Sequence, residues 1–237
     1  MTQIVLGRKD KIDFRTTLEE VAFLNTVNEM KAGQNRVFLE ATEENIAAID
    51  PQTHDLYVPS HQLTESQDAS QNIHVYFDLE NYPFYQAAQA VIEKKDKPKG
   101  VFRYRRMIKE VEEEALFASD LYILTELLGE PRDIKVRKTD AAVIPTHTIV
   151  MVNFGGGTMA HIEYTISNEE RIEFEWSGTE NIIEFDSEDM TPIQPKGLTS
   201  LPLTYSVDSI VSQARILDQS LLEQLATYRK LIQGGAQ

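Results

Sequence analysis

Residues 112–131 read EEEALFASDLYILTELLGEP, and the fold turns on how this stretch is read. Phe117, Leu121, Leu124 and Leu128 recur at i, i+4, i+7 and i+11. Leu116, Ile123 and Leu127 widen the stripe, so the pattern is that of a helix with one broad buried face. Gly129 follows the last apolar turn and Pro131 lies just beyond, which predicts the helix stop. The opposite face is expected to carry Ala115, Ser119, Tyr122 and Glu126, with Ala115 and Ser119 stacked four residues apart.

On the C-terminal side, 133–137, 148–154, 158–166, 171–176 and 181–185 read as strands separated by turns. Gly155-Gly156-Gly157 lies between two of them and reads as a hairpin turn. Along 158–166, Ala160, Ile162, Tyr164 and Ile166 face one way, and Met159, His161, Glu163 and Thr165 the other. Residues 186–204 form a loop. A long helix is expected over 207–232, burying Ile210, Val211, Ala214, Leu217, Leu221 and Leu225.

On the N-terminal side, 100–108 (GVFRYRRMI) reads as a strand with Arg103 and Arg105 on one face and Arg106 on the other. Residues 83–94 read as a helix with Pro83 in its first turn, and 73–79 as a strand. Further back, 4–6, 36–40 and 55–58 are short strands, and Thr42 caps a short helix through Ile46 and Ile49. Thr17 and Glu20 have capping-box spacing, which predicts a helix burying Val21, Leu24, Val27 and Met30 and ending at Gly33.

The expected fold class is α+β: a mixed, largely antiparallel open sheet with helices on one face, after a small N-terminal α/β layer. The expected division is a reduced α/β cap over 1–58, a polar linker over 59–72 and the main domain over 73–237. The other sheet face mixes apolar and charged residues, and reads either as a self-association surface or as a solvated face.

Composition narrows the function. The chain has 237 residues, 41% of them hydrophobic and 26% charged, as in an ordinary globular protein. A net charge of −15 disfavours nucleic acid and anionic membranes as partners. The absence of cysteine removes disulfides, thiolate nucleophiles and cysteine-ligated metal sites. The first residues hold too short an apolar run for a signal peptide, and no stretch reads as a membrane span, so a cytoplasmic location is expected.

No G-x-G-x-x-G occurs, and the only glycine cluster sits between strands rather than before a helix, so an ordinary dinucleotide site has no support. His54, His61, His74, His147 and His161 lack metal-site spacing. His161 with Glu163 reads as a surface or interface pair, with a cation site as the alternative. Glu112, Glu113 and Glu114 suit the dipole of a helix start, with a catalytic carboxylate among them as the alternative. Arg103, Arg105 and Arg106 read as internal ion-pair partners, or as ligands for an anion.

The order of these elements resembles the C-terminal domain of the glucose–fructose oxidoreductase / inositol dehydrogenase (Gfo/Idh/MocA) family. YPFYQAAQAVIEKK (82–95) is similar to the helix after the family's R-F-x-P-x-Y segment, and ASDLYILTELLGEP (118–131) to its H-D-x-D-x-x-x-x-L-L-G-E-P helix. VNFGGGTMAHIEYTIS (152–167) and RIEFEWSGTENIIEFD (171–186) resemble its hairpin and strand pair, and NEMKAGQNRVFLEAT (28–42) resembles the segment that closes its nucleotide half. The resemblance implies that 1–58 is a partial remnant of a nucleotide-binding domain, the family's first strands and glycine fingerprint lying upstream of what this chain holds. It also implies a homo-oligomer through the open sheet face.

The family's chemistry is not matched. Where the family has Lys after the Glu of that segment, Ala41 follows Glu40. Its catalytic Asp and His fall at Ala115 and Ser119. Hydride transfer from a secondary alcohol needs a base at the leaving proton, and neither residue supplies one. The expectation is therefore a non-redox relative acting as a binding, regulatory or scaffolding subunit. It would have no cofactor and no catalytic residues, and any ligand cleft would lie between cap and sheet near Arg106, Glu114 and Ser119. The alternative is an NAD- or NADP-dependent oxidoreductase acting on a sugar or polyol-like substrate, with displaced residues or a cofactor domain supplied by a partner.

Overall fold

The computed structural model describes residues 1–63, 72–93, 98–109, 113–140, 143–188 and 203–234. Within them the architecture is α/β, with two mixed six-stranded sheets. The chain forms two units, Met1–Pro83 with Leu203–Ala226, and Phe84–Pro202 with Thr227–Gln237.

The first unit holds β1 (Gln3–Gly7), β2 (Ala22–Leu24), β3 (Arg36–Glu40), β4 (Asp55–Pro59) and β5 (Ile73–Tyr76), with α1 (Glu43–Ala48) before β4 and α2 (Asp78–Asn81) after β5. The returning chain adds α5 (Val207–Gln213), β12 (Arg215–Ile216) and the start of α6 (Gln219–Gln233). The sheet order is β12-β5-β4-β1-β3-β2, and every pairing is parallel except that of β12 with β5. Ile4, Val5 and Leu6 are all fully buried, as a central parallel strand covered on both faces requires.

Three expectations change here. The helix predicted from Thr17 does not form. Ala22–Leu24 pairs with β3 instead, followed by a 3-10 turn over Val27–Glu29. Val21, Leu24, Val27 and Met30 are only half-buried, so their spacing did not mark a core face. The strand at 73 belongs to this first sheet, in parallel register with β4 (Leu56 opposite Ile73), and not to the second unit. The N-terminal layer is accordingly a full six-stranded sheet, and the boundary falls after Pro83 rather than after residue 58. Most of the expected linker, 64–71, lies outside the described residues. The long C-terminal helix is broken: Arg215 binds Glu80, Leu217 N–H donates to the Ile73 carbonyl, and Asp218 accepts from Leu221 N–H to start α6.

The second unit contains α3 (Pro83–Ile92), whose first residue closes the first unit. It also contains β6 (Gly100–Ile108), α4 (Glu113–Leu128), β7 (Asp133–Lys138), β8 (His147–Gly155), β9 (Thr158–Ile166), β10 (Arg171–Gly178) and β11 (Ile182–Asp186), in the order β11-β10-β6-β9-β8-β7. Only β6 with β9 is parallel. The predicted hairpin is present, and Gly155, Gly156 and Gly157 all have positive φ, which the turn requires. α4 packs on the inner sheet face. Phe117 stacks on Tyr164 with centroids 3.7 Å apart, and Leu121, Leu124 and Leu128 are buried. On the opposite face of α4, Ser119 and Tyr122 are buried as well. Among the described residues no helix is long and apolar enough to cross a membrane.

Candidate functional site

β1 has β3 on one side and β4 on the other, so strand order reverses across it. Ligands of open α/β sheets bind in the crevice beyond the carboxyl ends of the strands at such a point. At this end of β1 the chain's own groups make the following contacts. The Ala41 N–H donates to the Gly7 carbonyl at 3.0 Å. Gln62 Nε2 donates to the Ala41 carbonyl at 3.1 Å. The Tyr76 hydroxyl donates to the Leu6 carbonyl at 2.8 Å. A Cβ at Gly7 would stand 2.7 Å from that hydroxyl and 3.2 Å from the Phe38 ring.

Beyond Gly7 the chain makes a single 3-10 turn, Lys9–Lys11, in place of a helix. Arg8 Nη2 holds Asp10 at 2.6 Å. Partial burial pushes the Asp10 carboxyl up, but the hydrogen bond and charge of Arg8, with Lys11, outweigh it and leave it below the usual carboxylate range. Lys11 is buried with Nζ 5.7 Å from the Tyr82 ring centroid. The Tyr205 hydroxyl donates to Asp78 at 2.7 Å. Burial, then the charge of Asp78, raises the Tyr76 and Tyr205 phenols well above the usual range, so both stay protonated donors.

These residues differ from those of an ordinary dinucleotide site. The pyrophosphate of a dinucleotide needs close backbone approach and a helix N-terminus after the first strand. Here Tyr76 and Phe38 occupy the approach to Gly7, and the following turn is three residues long.

The sequence-predicted residues lie in the second unit. Arg106 is buried and donates from Nη1 to both carboxylate oxygens of Asp120, at 2.8 and 2.9 Å, with Glu170 3.8 Å away. The Tyr104 hydroxyl also donates to Asp120, at 3.0 Å. The Tyr164 phenol in the same layer is raised well above its usual range by burial and then by Asp120. Ser119, beside Asp120, donates its hydroxyl to the Ala115 carbonyl at 2.7 Å, so the two positions that carry Asp and His in the resembled family hold an apolar methyl and a back-bonded hydroxyl. Glu114 takes a different direction, toward Lys138 at 3.2 Å and Gln233 at 2.7 Å. Glu112 lies outside the described residues, as does the side chain of Glu113.

Sequence reasoning missed Asp120. Its signal was an acid inside an apolar helical run, which implies a buried counter-ion.

The outer face of the second sheet is lined by ion pairs. Arg103 meets Glu175 at 2.6 Å, and Arg105 reaches Glu163 and Glu173 at 3.3 Å each. Arg171 binds Asp186, Glu173 and Glu188. His147 Nδ1 lies 2.9 Å from Thr165 Oγ1 and 3.8 Å from Glu163. The arginines on this face are thus internal pair partners.

Asp186 is held below the usual carboxylate range, chiefly by its hydrogen bond from Arg171. Its contribution to stability is therefore present above the unfolded-state carboxylate pKa and is lost as pH falls through the lower folded value. Asp186→Asn should remove that acid-side component, with an effect of roughly 0.2–1 kcal/mol at neutral pH because the pair is partly exposed. Chemical unfolding of both proteins between about pH 3 and pH 7 checks this, and parallel stability curves would contradict it.

Among the described residues no cluster of three or more histidine, aspartate or glutamate side chains is arranged to hold a metal ion. No family model and no curated protein matches the sequence. Solved structures are similar in fold. Myo-inositol dehydrogenase from Corynebacterium glutamicum matches with a TM-score of 0.57 at 8% identity, over 99% of this chain and 97% of that one. Myo-inositol 2-dehydrogenase from Lactobacillus plantarum matches at 0.52 and 9% identity, over 99% and 90%. GenD2 from gentamicin A biosynthesis, solved in complex with NAD, matches at 0.51 and 11% identity, over 77% and 68%. At these identities the likeness is one of fold. That fold is the one carried by Gfo/Idh/MocA-type oxidoreductases, in line with the resemblance seen in the sequence.

Proposed function

We propose that this protein is a non-redox relative of the inositol-dehydrogenase-type oxidoreductases, acting as a binding, regulatory or scaffolding subunit that associates with a second copy of itself. The observation that carries the reading is the set of contacts that Tyr76, Ala41 and Gln62 make at the end of β1, where a pyrophosphate would need close backbone approach. Ala115 and the back-bonded Ser119 support it, since neither offers a base for an alcohol proton.

Self-association is supported by the outer face of the second sheet. In a chain of net charge −15, this face carries Arg103, Arg105, Arg171, Lys135 and Arg137 against Glu163, Glu173, Glu175, Glu184, Asp186 and Asp133. The charges nearly cancel and alternate across the strands, so two like-charged chains meet there with the least repulsion. Ile182 on β11 adds exposed apolar area.

Calorimetric titration with NAD(H) and NADP(H), beside measurement of solution mass, tests the reading. The expected result is no binding heat at protein concentrations that reveal micromolar affinity, and a mass of two chains. A one-to-one isotherm would overturn it and favour an NAD(P)-dependent oxidoreductase acting on a sugar or polyol through displaced residues.

A further inference from the structure

We infer that Met151, Met159 and His161 form a binding site for a soft monovalent metal ion, of the class of Cu(I). The three side chains share the outer face of the second sheet at its hairpin end. Met151 is directly opposite His161 in the β8–β9 register, and Met159 precedes His161 by two residues on β9. Directly opposed residues have Cβ atoms about 5 Å apart, and same-face neighbours along a strand or on a diagonal about 7 Å. Methionine is long and unbranched, so two thioethers and an imidazole can converge on one ion from these positions.

The three are available. Met151 is 44% exposed and Met159 50%, and His161 is exposed beside them.

The neighbouring cations are drawn elsewhere. Arg103, opposite His161 on β6, is held on the β10 side by Glu175 at 2.6 Å and Ser177 at 3.3 Å. Lys135, opposite Met151 on β7, lies 3.6 Å from Asp133. Thioether ligands select soft ions, and a site of two sulfurs and one nitrogen without a carboxylate disfavours zinc, calcium and magnesium. The ordinary reading of exposed methionines is apolar contact with another surface, and Met→Leu substitution separates the two because it keeps volume and removes the sulfur.

The test is titration of the whole chain with Ag(I), a redox-silent ion of the same class, followed by calorimetry and by two-dimensional NMR of the methionine methyl and histidine ring signals. One ion per chain is expected, with shifts confined to Met151, Met159 and His161. Met151→Leu, Met159→Leu and His161→Gln should each weaken binding about tenfold or more, as loss of one of three ligands implies. Zn(II) should not compete.

Binding that survives all three substitutions, shifts at other methionines and histidines instead, or no binding at micromolar concentrations would each overturn the inference. Unchanged solution mass in the leucine variants separates its failure from that of the self-association reading.

Discussion

Asp120→Ala should cost about 3–5 kcal/mol of folding stability, because it removes the carboxylate that accepts two close hydrogen bonds from the buried Arg106 guanidinium. The Tyr104 hydroxyl loses its acceptor in the same step. Urea unfolding followed by far-ultraviolet circular dichroism measures the loss. The paired substitution Arg106→Met with Asp120→Leu should recover most of it, since removing both charges removes the uncompensated burial. A single Asp120→Ala variant within about 1 kcal/mol of the parent would mean that Glu170, 3.8 Å from Arg106, takes over as counter-ion. The layer between α4 and the sheet would then be less committed than its geometry indicates.

Gly7→Ala is the second large effect, at about 1–3 kcal/mol, the range for forcing a methyl into a packed site. The new Cβ would meet the Tyr76 hydroxyl at 2.7 Å, and that hydroxyl is fixed by the Leu6 carbonyl. Tyr76→Phe alone should cost about 1 kcal/mol through the lost hydrogen bond. In the double variant the two costs should not add, because removing the hydroxyl makes room for the methyl. Strict additivity in the double-mutant cycle would show that Gly7 and Tyr76 do not pack against each other. This cycle reports on the strand end by packing alone, independently of any cofactor titration.

The strands of both units were largely legible in the sequence, whereas β2 and the grouping of the first sheet were not. β6 and β9 run over the residues that alternation marked out, and α4 ends where Gly129 and Pro131 placed its stop. These long strands, buried on one face and more exposed on the other, write a period of two into the sequence, and α4 writes a period near 3.6. β1 and β4 are buried on both faces and five residues long, so their length and grouping are set by neighbours distant in sequence. β2 is three residues that exist as a strand only through pairing with β3, so a helical spacing over the same residues prevailed in the reading. The break in the C-terminal helix was written locally in Asp218, a capping residue inside an apolar repeat.

Among the site residues, Arg106 and Ser119 are placed by α4 and β6, but Asp120 gains its role only when the helix lies against Arg106. The contacts at the end of β1 join Gly7, Ala41, Gln62 and Tyr76 from four separate segments, and no local pattern announces them.

The first sheet is assembled from segments far apart in the sequence, and this orders events during synthesis. When β5 leaves the ribosome, its outer edge has no strand beside it, because β12 is encoded far downstream. Asp78 waits for Tyr205, Glu80 for Arg215 and Arg36 for Asp208. The larger part of the second unit, Phe84 to Pro202, is made in between. The first sheet therefore stays open until β12 has been made, and a nascent chain stalled before residue 203 should present an open sheet edge to chaperones.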